Sequence, residues 1–578
     1  MPALNTSTRF NALGLILAAL AGTTLSLVLT GFVFGVSNNI FHLGIMAELY
    51  DLPQFHDDAF NQSLRHFASG FWLLFRGTAN DLDPAITFAI LHFASRFLCF
   101  IGFLLAASLL GITSLTERLI FSVLLAAATM MRGFSSAGDG GLFYNYFTHS
   151  EIANGLTLLV VYFCVRAQLH YAVAVNGLVF FINAFIAFWN MFPIVAFLIY
   201  RLRAHLSSRK EFLRLSLGSL VFLLLAAPVL MMVLRNPDAI QGSETAYVDF
   251  LRYYYPQHFF WDANGLRANA ALALITTLGF LSFQYSGDEG RKFQLALLSF
   301  CFVYVIGIII PSLTDSRLLL NLHLLRSSTN IQLLATLGLI CLATRWLTSE
   351  SATDRLLFGP VLATVMCLPK SFLPIALIGL IVRPFAGGLK FENFWIRRAA
   401  AAVVLLYTGF IGWSAMAENR QLNAAIGEWR TVALWANVNT DVNAAFLLPV
   451  VDPNDEKVNA DPAKGAGSET FEYYSKRSSW VDFKRGAAAM WSPSYLPEWR
   501  QRIAETTALH SVAAMRDYAR RHDIQYIICD CTKADTDAVF RTQHLCVLAA
   551  SGRTTSQHSS TRRRLANWPV ANPSVTHP

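Results

Sequence analysis

Apolar runs of about 17 to 25 residues recur along most of this chain, and runs of this length are long enough to cross a bilayer as helices. The first covers 11–34, and further single runs lie at 87–111, 118–134, 152–169, 212–234, 268–285, 293–312, 329–346 and 396–415. Two others, 171–200 and 355–385, are too long for one crossing and carry inside-type charge at both ends. We expect each to be a pair of short helices, broken around 183–190 and 368–370. The sequence therefore predicts about thirteen crossings.

The composition agrees with a membrane protein. The 578 residues are 54% hydrophobic and only 14% charged, whereas soluble domains carry about 25% charged residues. The net charge of +8 is explained by cationic loops that set membrane topology, so no nucleic-acid partner is expected. No zinc-ligand spacing, Walker loop, GxGxxG after a strand or GxSxG elbow occurs, which disfavours ATP-driven pumps, Rossmann enzymes and serine hydrolases.

Loop charges predict the orientation. Arg and Lys residues are more frequent in the loops placed inside than in those placed outside, as the positive-inside rule requires. The first run is interpreted as an uncleaved signal anchor with its N-terminus in the cytoplasm. An odd number of crossings then places the C-terminal region outside the cell membrane.

The C-terminal region has a different pattern. After a membrane domain at 1–415, residues 416–550 predict a small extracytoplasmic α/β domain, with strands at 444–449, 524–529 and 544–548 and helices near 495–506 and 509–522. This region contains Cys529, Cys531 and Cys546. In an oxidising compartment, Cys529 or Cys531 could form a disulfide with Cys546. The tail 551–578 is basic and is expected to be disordered. The predicted fold class is thus a mainly α polytopic membrane protein with a small C-terminal α/β domain.

The first external loop, 36–86, mixes large apolar residues with charged ones, as amphipathic helices on a membrane surface do. Within it, the stretch 50–63 contains Asp51, Asp57 and Asp58. At the water-facing edge of a membrane protein, a carboxylate can stay ionised and still meet a substrate carried by a lipid. Adjacent aspartates on a helix point in different directions, so one of Asp57 and Asp58 is expected to face the cavity.

The order of parts resembles the C-type (GT-C) superfamily of integral-membrane glycosyltransferases, and in detail an uncharacterised bacterial branch. The local similarity rests on Leu52-Pro53-Gln54-Phe55-His56-Asp57-Asp58-Ala59-Phe60, on 473–484 and on Glu498-Trp499-Arg500. The resemblance implies an inner (plasma) membrane enzyme that uses a sugar linked through phosphate to a polyprenyl lipid. It also implies a first-loop catalytic acid, which falls best on Asp58, then on Asp57 and third on Asp51. The competing interpretation is that all three are solvated loop acids or helix caps.

A departing phosphate needs cations, and arginine can bind two phosphate oxygens at once. The external-loop candidates are Arg326, Arg252 and His258, against the alternative of an interfacial aromatic belt with snorkelling arginines. Arg96, inside the second span, either binds the lipid phosphate or pairs with a buried acid. Asp139, in the glycine turn Asp139-Gly140-Gly141, could place a further carboxylate near the same cavity.

These patterns favour a glycosyltransferase-like protein that moves a sugar from a polyprenyl-phosphate donor to an extracytoplasmic acceptor, with the donor and membrane lipid as partners. The cofactor and the acceptor are unknown, and no metal-ligand set is present. The alternatives are a transporter or lipid-handling protein whose broken pairs line a substrate path, and a non-catalytic component of a surface-polysaccharide system. Ionisable residues lie mostly in external loops rather than at the bilayer midplane, which favours the transferase.

Overall fold

The computed structural model describes residues 6–203, 209–238, 244–386, 394–450, 466–533 and 537–551. The chain divides into two compact units, one of Met1–Ile426 with Lys484–Pro497 and the other of Gly427–Phe483 with Glu498–Pro578. The segment 484–497, which the sequence assigns to the C-terminal domain, thus belongs to the membrane unit. The tail predicted to be disordered lies, from residue 552 onward, outside the described residues.

The described chain is mainly helical. In chain order its α-helices are α1 Thr6–Thr30, α2 Asn39–Met46, α3 Ala59–Ser63, α4 Gly70–Leu73, α5 Pro84–Leu109, α6 Leu115–Ala127, α7 His149–Val165, α8 Leu169–Ile182, α9 Ala184–Arg203, α10 Arg209–Leu234, α11 Glu244–Tyr254, α12 Pro256–Phe259, α13 Gly265–Gln284, α14 Gly287–Leu313, α15 Arg317–Leu320, α16 Ser328–Leu347, α17 Gly359–Cys367, α18 Leu373–Val382, α19 Phe394–Asn439, α20 Phe471–Ser475, α21 Leu496–Thr507 and α22 Val512–Arg521.

Within these described ranges, 8 helical segments are long and apolar enough to cross a membrane. They are Ala12–Thr30, Pro84–Leu109, Ala184–Arg201, Arg209–Leu234, Asp262–Gln284, Gly287–Leu313, Arg317–Leu347 and Phe394–Asn439. The helices α7 and α8 are apolar but shorter. The polytopic class is therefore confirmed, while the count of about thirteen crossings stays a prediction.

Both long apolar runs are broken where the sequence predicts. The first breaks at Asn183, which leaves helical geometry between α8 and α9 and donates through its side-chain amide to Ser150 Oγ at 3.1 Å. The second breaks at 368–370 between α17 and α18, at a Leu-Pro-Lys sequence. Proline disfavours helical geometry in the residue before it, which accounts for the second break.

Caps and side-chain hydrogen bonds fix the ends and contacts of the spans. Asp83 caps α5 by accepting from the amides of Ala85 and Ile86, and Ser114 and Glu117 form a capping box at the start of α6. α5 packs on α7, α1 on α6, α8 on α10 and α13 on α16. The loops between the helices of this unit carry the candidate site.

Asn176, Asn183 and Asn190 recur every seven residues, and each joins neighbouring helices through its side chain. Asn190 of α9 donates to Thr157 Oγ1 of α7 at 3.0 Å and to Asn176 Oδ1 of α8 at 3.1 Å. The side chains of Asn190, Thr157 and Asn176 are buried. A polar side chain in an apolar bundle is stabilised by such interhelical hydrogen bonds.

Replacing Asn190 with Leu is expected to lower the unfolding free energy by about 1 kcal/mol, because Thr157 and Asn176 lose a buried partner. Thermal unfolding in detergent measures the loss. The double variant N190L/T157V serves as the control, since its cost should be smaller than the sum of the two single costs if the groups are coupled. Additive costs would contradict the shared network.

A two-stranded ribbon in the first unit pairs β1 Gly133–Phe134 with β2 Gly141–Leu142. The second unit contains a five-stranded mixed sheet, whose strands are β3 Ala445–Leu447, β4 Ser478–Ser479, β5 Tyr526–Asp530, β6 Phe540–Arg541 and β7 Leu545–Ala549. Their order across the sheet is β4-β3-β5-β7-β6. β3 is parallel to β4 and β5, whereas β7 is antiparallel to β5 and β6. The three strands that the sequence predicts are therefore present, as is the α/β character of this region.

A disulfide links Cys531 to Cys546 beside the β5–β7 pair. Cys529, which is opposite Cys546 in the strand register, is buried and free. The sequence left Cys529 and Cys531 as alternative partners of Cys546, and the structure pairs Cys546 with Cys531.

Candidate functional site

A glycine-rich turn places Asp139 against the start of α16. Asp139 has a φ of +51° and Gly138 a φ of +75°. A Cβ on Gly138 would lie 2.2 Å from the Leu325 carbonyl oxygen, and one on Gly140 would lie 1.8 Å from Thr329 Oγ1. Only glycine permits this approach at both positions. The turn therefore holds a carboxylate beside the residues that precede α16.

The Asp139 carboxylate is hydrogen-bonded to the buried ring of His258. Its Oδ2 lies 3.0 Å from His258 Nε2, and the His258 ring stacks on Tyr255 at a centroid distance of 4.7 Å. Burial, reinforced by the charge of Arg326, lowers the pKa of His258 to about 4, so the ring is neutral at pH 7. With Asp139 ionised, the His258 Nε2–H is the donor of this hydrogen bond.

The Asp139 carboxyl is ionised at neutral pH. Burial raises its pKa, but the hydrogen bond from His258 and the charges of Arg326 and Lys484 more than offset burial and leave the pKa below its ordinary value. The side chain is 35% exposed. The carboxylate is therefore accessible as well as charged.

Two cations complete this cluster. Lys484, from the segment 484–497, hydrogen-bonds Tyr255 Oη through its ammonium group, and its carbonyl oxygen accepts from Tyr254 Oη at 2.8 Å. Arg326 precedes α16 and is partly exposed. Among the residues that the structure describes, no acidic oxygen lies within the 4.0 Å ion-pair distance of the Arg326 guanidinium. We call Asp139, Tyr255, His258, Arg326 and Lys484 the cationic cluster, since at pH 7 it carries one more positive than negative charge.

Arg326 lines a small cleft that is open to solvent. The other residues around it are Gly140, Gly141, Ser150, Asn154, Asn183, Phe185, Ile186, Trp189, His323 and Thr329. Hydroxyl and amide groups thus surround a guanidinium at the positive end of the 20-residue helix α16. Guanidinium groups and helix N-termini both favour anions, so this cleft has the chemistry of a phosphate site.

Asp58 also contacts the segment 484–497, but it lies outside the cationic cluster. Its Oδ1 accepts from the Asn61 amide at 2.8 Å and so caps α3, and its Oδ2 lies 3.8 Å from Arg485 Nη1. Arg485 directly follows Lys484 in the chain. The dipeptide Lys484-Arg485 therefore connects the first-loop acid to the cationic cluster.

The other first-loop acids point elsewhere. Asp57 is exposed, in contrast to its neighbour Asp58. Asp51 forms a 2.5 Å ion pair with Arg65 and lies 3.6 Å from Arg76. Asp57 and Asp58 thus differ in exposure, and which of them faces the cavity stays a prediction.

Arg252 and Arg96 are outside the cationic cluster. Arg252 is 53% exposed, lies 3.6 Å from Asp262 and stacks over the Phe260 ring at 4.0 Å. Arg96 is fully buried and pairs with Glu151, while its other nitrogens donate to Ser26 Oγ at 2.6 Å and to the Tyr144 carbonyl oxygen at 2.9 Å. Of the two sequence alternatives for Arg96, the structure has the pair with a buried acid.

Sequence reasoning missed Glu151 and Lys484. Glu151 stands at the start of an apolar run, and a single acid there together with Arg96 in a neighbouring span was a usable signal for pairing. Lys484 lies far along the chain in a polar region, and nothing local to it indicates that its segment returns to the membrane unit. Among the described residues, no group of three or more His, Cys, Asp or Glu side chains could hold a metal ion.

Lowering the pH from 7.5 to 5 is expected to lower the thermal unfolding midpoint in part through His258. The unfolded histidine binds a proton below about pH 6.5, whereas the folded one has a pKa of about 4, so acid favours the unfolded chain over this window. Replacing His258 with Gln removes this contribution, and the midpoint should fall less between the two pH values. An equal fall in both proteins would contradict a neutral buried His258.

No family model matches the chain, and no curated protein matches it. Among solved structures, the chain is similar to the cryo-EM structure of the arabinosyltransferase EmbB from Mycobacterium smegmatis, with a TM-score of 0.38 and 13% identity. The similarity covers 72% of this chain and 41% of that chain, so this chain spans less than half the length of EmbB. A similarity at this level establishes neither a shared fold nor a shared activity.

Proposed function

We propose that this polytopic membrane protein is a glycosyltransferase that moves a sugar from a polyprenyl-phosphate-linked donor to an extracytoplasmic acceptor. Arg326 and Lys484 bind the phosphate of the donor, and Asp58 activates the acceptor hydroxyl. Asp139 and His258 are positioning residues for the two cations. One observation carries the proposal: Arg326 lines a small open cleft without an acidic partner within ion-pair distance among the described residues, and its charge interacts with that of Lys484.

The charge balance supports a phosphate ligand. With His258 neutral and Asp139 ionised, Arg326 and Lys484 leave one net positive charge in the cluster. A phosphodiester carries one negative charge and would neutralise it. An anion in such a partly enclosed site is stabilised by charge-assisted hydrogen bonds from both cations.

The proposed step is an inverting displacement. The acceptor oxygen attacks the anomeric carbon, the bond from that carbon to the phosphate oxygen breaks, and polyprenyl phosphate departs with the bonding electron pair. The acceptor proton passes to the Asp58 carboxylate. Arg326 and Lys484 stabilise the charge that develops on the phosphate, which is the largest contribution expected from a site of this type.

The position of Asp58 is consistent with this role. Its side chain is 10% exposed, and one oxygen is fixed by the α3 amide while Arg485 lies beside the other. A carboxylate held at both oxygens is oriented rather than freely rotating. The neighbouring Asp57 is exposed and provides a matched control.

The disulfide supports an extracytoplasmic C-terminal region. Disulfides such as Cys531–Cys546 persist in oxidising compartments and are rare in the cytoplasm. We therefore propose an inner (plasma) membrane protein with a cytoplasmic N-terminus and its site on the outer side. This placement fits a donor presented by the outer leaflet.

Transfer of labelled sugar from a polyprenyl-phosphate donor, measured in membranes that contain the protein, tests the proposal. We expect D58N to abolish transfer while binding of polyprenyl phosphate is retained, and D57N to behave as the parent. D139N should weaken both phosphate binding and sugar transfer, because Asp139 helps to position Arg326 and Lys484. Equal transfer by the parent, D58N and D139N would remove both acids from the mechanism. Movement of the intact donor across the bilayer without cleavage would support the lipid-handling alternative instead.

A further inference from the structure

A second pair of basic residues lies at strand β1, apart from the cationic cluster. The Lys370 ammonium group, at the break between α17 and α18, donates to the Phe134 carbonyl oxygen at 3.1 Å. Arg132 precedes β1 and is half-buried, and its charge interacts with the Cys367 side chain at the end of α17. Neither residue lines the cleft beside Arg326. We call Lys370 and Arg132 the ribbon cations.

The ribbon cations lack acidic partners. Within the described ranges, no carboxylate lies within the 4.0 Å ion-pair distance of either one. Arg132 Nη2 donates to the carbonyl oxygens of Ala126 and Ala127 at 3.3 Å each, while its Nε and Nη1 have no acceptor among the described residues. Burial lowers the pKa of Lys370 to about 8, so most of this side chain is still charged at pH 7. Two such cations side by side favour an anion.

The Lys370 side of this pair is accessible. The hydrogen bond from Lys370 to Phe134 lies at the surface of the membrane unit, and Phe134 is 50% exposed. Ser371 follows Lys370 and is exposed as well, so it supplies a hydroxyl group next to the ammonium. Ammonium and hydroxyl groups are both donors to phosphate oxygens. Arg132 is less accessible and adds positive charge behind them.

The helix that follows Lys370 has one buried and one exposed face. The buried residues of α18 recur at helical spacing, whereas Ile375, Ile378 and Ile381 are 43%, 61% and 54% exposed. Exposed apolar side chains grouped in this way mark a surface that contacts lipid. The 10 residues of α18 rise about 15 Å, which is half of the ~30 Å hydrocarbon core. The exposed face is therefore about as long as one leaflet is thick.

We propose that the ribbon cations bind the headgroup phosphate of an anionic glycerophospholipid, whose acyl chains lie along the exposed face of α18. Lys370 and Ser371 contact the phosphate, and Arg132 stabilises its charge. Arg132 and Asp139 belong to the same loop between α6 and α7, so the lipid lies on the same side of the membrane as the cationic cluster. The inference does not depend on the proposed sugar transfer.

The shape of the apolar face indicates which lipid it suits. At 3.6 residues per turn, the exposed residues from Phe372 to Val382 cover about half of the circumference of α18. A face of this width accommodates two acyl chains side by side, whereas a polyprenyl phosphate has one chain. A free phosphate makes no contact with it. The combination of cations and a broad apolar face thus favours a two-chain anionic lipid.

Titration of the full-length protein with dioleoyl phosphatidylglycerol in uncharged micelles tests the inference, with bound lipid counted by native mass spectrometry. We expect K370Q to weaken the first binding step about tenfold or more, the effect of losing a charge-assisted hydrogen bond. R132Q should weaken it about threefold or more, because its charge acts from a longer distance. K370R keeps the charge and should bind nearly as the parent does. Dioleoyl phosphatidylcholine, which has no net charge, should bind the parent and K370Q equally.

R235Q is the matched control for K370Q. Arg235 is also a cation at the end of an apolar helix, but it is exposed. R235Q removes the same charge and should bind phosphatidylglycerol within about twofold of the parent, since exposed charges are screened by salt. If R235Q loses as much affinity as K370Q, the lipid responds to overall charge, and the site does not exist.

The remaining outcomes separate the candidate ligands. If inorganic phosphate displaces phosphatidylglycerol at equal concentration, the acyl chains do not contribute, and the lipid assignment is overturned. If polyprenyl phosphate displaces it at equal concentration, the preference for a two-chain lipid is wrong. If K370Q lowers the thermal unfolding midpoint without phosphatidylglycerol, K370M, which keeps the alkyl stem, takes its place. The tenfold loss is then required of K370M, and parent-like binding by that variant contradicts the inference.

Discussion

Sugar transfer by R326Q is expected to fall about 100- to 1,000-fold, the loss that follows removal of one preorganised donor to developing charge. Arg326 is the cation of the cleft that has no acidic partner within ion-pair distance among the described residues. Its guanidinium can therefore neutralise a phosphate without first breaking an ion pair. R326K should recover part of the activity, since a lysine keeps the charge but cannot bind two oxygens in one plane.

Arg252 provides the matched comparison for Arg326. Both were predicted from external loops, but Arg252 is exposed, with Asp262 and the Phe260 ring as its contacts. R252Q should keep transfer within about threefold of the parent, as expected for an exposed ion pair. Measuring kcat and KM for both variants checks this. A large loss in R252Q with little loss in R326Q would move the phosphate site to the other loop.

The second large effect concerns stability rather than chemistry. E151Q is expected to lower the unfolding free energy by about 3–5 kcal/mol, because it leaves the Arg96 charge buried without its partner. Arg96 is fully buried, and its other hydrogen bonds go to neutral oxygens of Ser26, Thr30 and Tyr144. The double variant R96L/E151L should cost less than E151Q, since it removes both charges. Denaturant unfolding in mixed micelles measures these costs.

R65Q is the exposed control for this pair. Arg65 and Asp51 are each 41% exposed, so breaking their ion pair should cost about 0–1 kcal/mol. If R96Q instead keeps the stability of the parent and loses polyprenyl phosphate binding, Arg96 is a ligand-binding residue and the structural assignment is wrong.

Much of the membrane unit could be predicted from local sequence. The length of the apolar runs predicts the spans, and the Asn183 and Leu368-Pro369-Lys370 breaks follow from local backbone preferences. In the second unit, the runs at 444–449, 524–529 and 544–548 predict strands because each is a short apolar run bounded by polar residues. The number of crossings does not follow from the length of the apolar runs alone, because short helices such as α8 and α17 lie below the usual length of a span.

The candidate site was only partly predictable. Arg326, His258 and the Asp139 turn were identified from external loops, since charges in such positions are conspicuous. Their association depends on a close backbone approach at Gly138 and Gly140, which no local pattern reveals. Lys484 and Arg485 could not be predicted, because their place beside Tyr255 and Asp58 depends on the return of a distant segment to the membrane unit.

The most direct test of the central claim is a cryo-EM map of the protein in nanodiscs with a polyprenyl phosphate. We expect density for the phosphate group within about 3 Å of the Arg326 guanidinium and the Lys484 ammonium, the distance of charge-assisted hydrogen bonds. Phosphate density at Arg252, with the cleft beside Arg326 empty, would contradict the account.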